Sequence, residues 1–260
     1  MRPSAEARRA LSDEGYLLLP DVMGRDFLEE VRSLVEVLYE AEGERAGSEF
    51  KQEPGCRRLA NLVNKGEAFQ RLITHECVLP LVALILGEDL KLSSLNARCV
   101  LPDCAEAQPL HADMAALADE RGFWVCNTIW MLDDFTLENG APRVIPGSHL
   151  KGQLPADALV DVGAPHPDQR VITGTAGSVI VMNAHAWHGG MPNLTRCSRT
   201  AVHAFYARRD KPQQQYQKRL LDPAVQQSLS PQLRRLLALD DPMNDILSGQ
   251  DEVVRSGFMK

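Results

Sequence analysis

The sequence predicts a mainly β domain, a sandwich or jelly roll, with helices at both ends. Three observations point there. Between about residues 90 and 207, short runs of β-forming residues alternate with Gly, Pro and Asn turns. Before and after that stretch, apolar residues recur at helical spacing instead. The 260 residues suit one sizeable domain, and no repeat or low-complexity linker divides them. The expected organisation is a single domain over 1–260: a helical N-terminal segment (1–90), a jelly-roll core (91–207) and a helical C-terminal segment (208–260).

The elements follow in chain order. Gly15–Pro20 reads as a short buried strand. Asp26 followed by Glu29 looks like a capped helix start. Phe27, Leu28, Val31, Leu34, Val35 and Leu38 then form one apolar face, with Glu29, Glu30, Arg32, Glu36 and Glu40 opposite. A second helical block covers about 67–86, broken near Pro80. Strands are expected at Leu95–Leu101, Phe123–Leu132, Val171–Ile172, Ser178–Met182 and Thr200–Tyr206. In the last of these, Ala201, His203 and Phe205 share a face with Arg199. Leu220, Leu221, Val225, Leu229, Leu233, Leu236 and Leu237 make a final apolar stripe. It either covers the barrel or forms a subunit contact, so a monomer or homodimer is expected.

Bulk properties narrow the function. A net charge of -7 and a pI near 5.5 argue against a general nucleic-acid binder. The longest apolar run, Val78–Leu86, contains Pro80 and is too short to cross a membrane. The charged start of the chain leads into no apolar core, so no secretory signal is expected. Six cysteines without a CxxC pair read as reduced, mostly buried thiols of a cytoplasmic protein, not as a zinc-thiolate site. Asn193-Leu194-Thr195 matches a glycosylation sequon by chance.

His111-Ala112-Asp113 carries the chemistry. On an extended backbone its imidazole and carboxylate point to one face, two-thirds of a facial metal triad. The second histidine could be His149, His166, His185, His188 or His203. His188 fits best, because Gly189-Gly190 would let the chain turn closely round an ion. Arg199 follows eleven residues later, placed to reach back and clamp a carboxylate. Each piece alone has a plainer explanation: a chance HxD, a turn histidine, a strand arginine in an ion pair.

Asn139-Gly140-Ala141-Pro142-Arg143-Val144-Ile145-Pro146-Gly147-Ser148-His149 comes next, then Trp187-His188-Gly189-Gly190-Met191-Pro192-Asn193 and Arg199. With His111-Ala112-Asp113 and Glu14-Gly15-Tyr16-Leu17-Leu18-Leu19-Pro20, these closely resemble the phytanoyl-CoA dioxygenase family of iron(II)/2-oxoglutarate oxygenases over about residues 10–207. The resemblance implies a double-stranded β-helix, a cupin-like jelly roll. It implies that His111, Asp113 and His188 hold iron(II), and that Arg199 binds the distal carboxylate of 2-oxoglutarate. Dioxygen is the implied oxidant, 2-oxoglutarate the co-substrate that supplies electrons, and ascorbate a stimulating reductant. Some family members carry a serine where this chain has Gly190. Arg199 would then lean on Asn127 or Thr128, and Gln108 is a candidate polar contact in the site. Trp130 lies one residue out of the family's register and is assigned no contact. His185 is the reserve ligand. His75, His149, His166 and His203 are expected to be structural or solvated, His203 nearest the pocket.

The reaction implied is hydroxylation of an unactivated carbon of a small molecule, with succinate and carbon dioxide released. Halogenating relatives lack the carboxylate ligand, so Asp113 favours hydroxylation; desaturation, epoxidation and cyclisation stay open. Two other classes remain: a cupin-like metalloenzyme that needs no oxoacid, and a non-catalytic binding protein on the same fold. Loop 102–122 and the two helical ends are expected to meet the substrate.

Overall fold

A computed structural model describes residues 3–49 and 53–249. The chain runs α1 (Ala5–Arg9), β1 (Tyr16–Leu19), α2 (Arg25–Glu42), β2 (Cys56–Leu59), α3 (Glu67–Ile73), α4 (Leu79–Leu86), β3 (Leu90–Val100) and β4 (Val125–Met131). It continues with β5 (Pro142–Val144), α5 (Pro155–Ala158), β6 (Arg170–Val171), β7 (Val179–Asn183), β8 (His188–Gly190) and β9 (Arg199–Arg208). It ends in α6 (Gln217–Leu220), α7 (Pro223–Ser228), α8 (Pro231–Leu236) and α9 (Pro242–Ser248). The strands form an antiparallel six-stranded sheet, β1-β7-β4-β9-β3-β2, facing a three-stranded sheet, β6-β5-β8. This is the jelly-roll layout expected from the sequence.

Strand alternation sorts the large sheet into two buried faces. Cys126 and Trp130 on β4, Val202, Ala204 and Tyr206 on β9, and Val179 and Val181 on β7 pack outward, in one cluster with the helices. Ile129, Met131, Ala201, Ile180 and Met182 face the small sheet, meeting Ala141, Val144 and Phe135. Helix α2 buries Leu28, Val31, Val35 and Tyr39 on the outer cluster. Each such burial stabilises by about 1.5–3 kcal/mol.

Several local expectations change. Gly24, not Asp26, caps α2, and Asp26 lies in the first turn, where its charge meets the helix dipole. The break in the second helical block falls before Pro80; that proline opens α4, where its missing N–H costs nothing. Strand β1 is half-buried because it is an edge strand, paired only with β7. Strand β3 begins at Leu90 and carries a bulge between Leu92 and Ser94. The C-terminal stripe covers the sheet: Leu221, Leu229, Leu236 and Leu237 join the main core, while Leu220 is exposed. Residues 250–260 of that segment lie outside the described residues. Of the six free thiols, only Cys99 and Cys126 are buried; Cys197 is exposed. The sequon residue Asn193 is fully buried, its amide donating to the carbonyls of Leu101 and Cys197 at 3.0 and 2.9 Å.

Candidate metal centre

His111 and His188 come from segments far apart in sequence, joined by a reciprocal backbone pair. Each N–H donates to the other's carbonyl at 2.9 Å. Ala112 is extended, so Asp113 points the same way as His111. The chain then turns sharply, with Met114 in the left-handed region at φ 56°. His188 stands on β8 in the small sheet, not in a turn. Its glycines serve close approach: a Cβ on Gly189 would lie 2.8 Å from the Gln108 carbonyl oxygen.

The three side chains converge. Asp113 Oδ1 lies 3.8 Å from His111 Nε2 and 3.7 Å from His188 Nε2. One donor atom from each of the three falls within 4.8 Å of the others. The far side of each ring is fixed by backbone. His111 Nδ1 donates to Pro109 O at 2.9 Å, and His188 Nδ1 to Ala186 O at 2.8 Å. That leaves both Nε2 lone pairs aimed at the common point, the usual support for a ligating imidazole. Asn127 Nδ2 donates to Asp113 Oδ2 at 3.3 Å.

Burial lowers the His188 pKa, but the neighbouring Asp113 outweighs it and holds the imidazole above its ordinary value. Burial, then the neighbouring His188, lowers the His111 pKa to about 4. Burial pushes Asp113 up, but His188, His111 and Asn127 outweigh it and hold the carboxyl at about 2. A neutral His111 and an ionised Asp113 form a donor set that fits a divalent cation with imidazole and carboxylate preference.

Arg199 shares the cavity with this triad. It is buried, stacks over Phe135 at 4.3 Å, and donates through Nη2 to Gly140 O. Its Nε has no partner, and no carboxylate pairs with it among the described residues. Burial lowers its pKa to about 9. A guanidinium does not surrender its proton in a protein, so the depression reflects the cost of holding this charge in the interior beside Arg98.

The other sequence candidates separate. Asn127 lines the cavity. Thr128 does not: it lies on the outer face of β4, accepting from Trp130 Nε1 at 3.1 Å and donating to Ala204 O at 3.3 Å. Neighbours on a strand face opposite ways, so only one of the pair can reach the site. Gln108 lines the cavity, but both its ends are engaged. Its Nε2 donates to Glu53 at 3.1 Å and its Oε1 accepts from Gly190 N at 3.0 Å. His185 is held away by Asn183, at 2.8 Å, and His149 bonds Ser12 O at 3.1 Å. His203 lines the cavity, with its Nε2 unpartnered.

Arg58, Asn96 and Arg98 also line the cavity, and no sequence motif marks them. Asn96 and Arg98 occupy the inward phase of β3, opposite His203 and Ala201. Their alternation with Leu95, Ala97 and Cys99 is the available signal. Loop 102–122 contributes Gln108, and the two ends contribute Arg58 and Gln214.

A model of the phytanoyl-CoA dioxygenase family matches residues 11–201. Dioxygenase af480 of Aspergillus fumigatus is 29% identical over 249 residues, covering 90% of this chain and 76% of that protein. HygX of Streptomyces hygroscopicus, solved with nickel, 2-oxoglutarate and hygromycin B, superposes with a TM-score of 0.61 at 19% identity, over 79% of this chain and 87% of HygX. EctD of S. alaskensis with bound iron gives 0.66 at 19% identity, over 79% and 76% of the two chains. Among the described residues no helix is long and apolar enough to cross a membrane.

Proposed function

The chain belongs to the phytanoyl-CoA dioxygenase family, and on that premise we propose that it hydroxylates an unactivated carbon of a small molecule, consuming 2-oxoglutarate and dioxygen and releasing succinate and carbon dioxide. One observation carries this reading. A converging His-Asp-His set and a buried guanidinium without an acid partner line the same cavity. The first suits iron(II); the second suits the far end of a dicarboxylate. The hygromycin B held by HygX supports a small molecule as the substrate class.

His111, Asp113 and His188 would hold the iron, which when bound supplies oxygen activation coupled to oxidative decarboxylation of the oxoacid. The protein's part is placement. The Pro109 and Ala186 carbonyls fix the two imidazoles with Nε2 inward. Asn127 restrains the carboxylate of Asp113. Arg199 receives the distal carboxylate, and the Phe135 ring packed on its guanidinium excludes water there. A retained carboxylate ligand supports hydroxylation over halogenation.

Anaerobic titration tests the reading. Iron(II)-loaded protein should bind 2-oxoglutarate, and Asp113→Ala or His188→Ala should abolish the iron-dependent component. Wild type that binds neither iron nor 2-oxoglutarate would refute it.

A further inference from the structure

We propose that Arg98 is the second arm of the co-substrate clamp, closing with Arg199 on one distal carboxylate beside Gly190. The inference rests on the 2-oxoglutarate reading above and adds a residue with no place in the His-Asp-His and Arg pattern.

Sheet register sets the two arginines together. Val100 pairs with Arg199 and Arg98 with Ala201, so Arg98 and Arg199 are diagonal neighbours on the inward face. Both are buried, 8% and 2% exposed. Both line the cavity that holds the metal triad. Two buried guanidiniums at diagonal positions repel each other.

The available acid does not neutralise them. Glu53 is the one carboxylate that pairs with Arg98 among the described residues, through Nε at 3.4 Å. The shorter contact of the same oxygen, 2.7 Å, goes to Arg58. Glu53 therefore grips Arg98 from one edge and leaves the other toward the cavity. On that side Nη1 lies 3.6 Å from where a Cβ on residue 190 would stand. Because residue 190 is glycine, no side chain separates this guanidinium edge from the space before Arg199. Gln108 completes the bracket, joining Glu53 to the backbone of Gly190. Gln108 and Glu53 are thus positioning residues, while Arg98 touches the co-substrate. One carboxylate between the two guanidiniums would offset the charge of Arg199 and supplement the hold of Glu53 on Arg98.

The consequence is selectivity for a dicarboxylic 2-oxo acid. It is tested by anaerobic calorimetry on iron(II)-loaded protein with two probes: 2-oxoglutarate, and 2-oxovalerate, which has the same chain without the distal carboxylate. Arg98→Gln should weaken 2-oxoglutarate about ten- to hundredfold and leave 2-oxovalerate unchanged. The Arg98→Gln/Arg199→Gln double variant should bind the two acids alike. Unchanged 2-oxovalerate affinity shows that the variant is folded. Should Arg98→Gln not fold, Arg98→Lys keeps the charge without the fork and should weaken 2-oxoglutarate alone, by several-fold. Wild-type affinity for 2-oxoglutarate in the Arg98 variant overturns the clamp and assigns that cation to the prime substrate. Equal weakening of both acids also overturns it, as the mark of a structural role. A wild type that does not bind 2-oxoglutarate brings down the co-substrate reading itself, and the clamp with it.

Discussion

Adding one methyl group at Gly189 should damage the metal centre without touching a ligand. An ideal Cβ there would sit 2.8 Å from Gln108 O and 3.1 Å from Pro109 O. Ordinary van der Waals contact for a Cβ begins at 3.4 Å, so the two segments must separate by roughly 0.5 Å or more. Neither oxygen is free to move. Gln108 O accepts from Arg143 Nη2 at 2.9 Å, and Pro109 O holds the His111 ring at 2.9 Å. The segments pushed apart carry His111 on one side and His188 on the other. Metal-ligand distances tolerate only about 0.2 Å. Gly189→Ala should therefore weaken iron(II) binding about 10–100-fold, the scale of losing outer support. Overpacking should also cost about 1–3 kcal/mol, or a fall of about 2 to 12 °C in melting temperature for a domain this size. Anaerobic iron(II) titration and calorimetry check both. Wild-type metal affinity with an unchanged melting temperature would refute the close-approach argument.

Other outcomes follow from individual contacts. Thr128→Val should leave 2-oxoglutarate affinity unchanged while costing about 1–2 kcal/mol in urea unfolding, because Trp130 Nε1 loses its acceptor; a specific loss of co-substrate binding would contradict the outward placement. Asn193→Ala should cost about 2–4 kcal/mol, since its amide and carbonyl satisfy Leu101, Cys197 and Thr195 backbone groups in the interior; near-neutral unfolding would contradict it. Lys91 is buried, donating to Asn244 Oδ1 at 2.7 Å, and burial lowers its pKa to about 8. The unfolded lysine titrates at about 10.4, so the unfolded chain binds more protons between those values. Stability from this group should rise as pH climbs from about 8 to about 10.4, and Lys91→Met should flatten that rise; parallel stability–pH curves for the two proteins would contradict it.

How much is legible in the sequence depends on burial and on element length. The helical ends and the longer strands β4, β7 and β9 announce themselves, because long apolar runs bounded by turns have few other readings. Strands β2, β5 and β8 span three or four residues, too few to show any period. The glycines after His188 therefore suggest a turn, although the histidine stands on β8. The ambiguity between Asn127 and Thr128 has a related cause. Both faces of β4 are covered, one by helices and one by the small sheet, so polar alternation does not reveal which phase looks inward. The sharp features of the centre, the HxD spacing and the Arg199 offset, survive because they are properties of one local segment or one register. The place of Arg98 beside Arg199 is hidden in the sequence for the opposite reason: only the β3–β9 pairing brings the two together.

Succinate formation tests the central claim most directly. The protein is incubated aerobically with iron(II), ascorbate and 2-oxoglutarate, and succinate is quantified; uncoupled turnover requires no prime substrate. Wild type should release succinate in proportion to 2-oxoglutarate consumed, and Asp113→Ala should release none. A wild type that binds iron yet forms no succinate above the Asp113→Ala background would contradict the assignment of this cavity to 2-oxoglutarate chemistry.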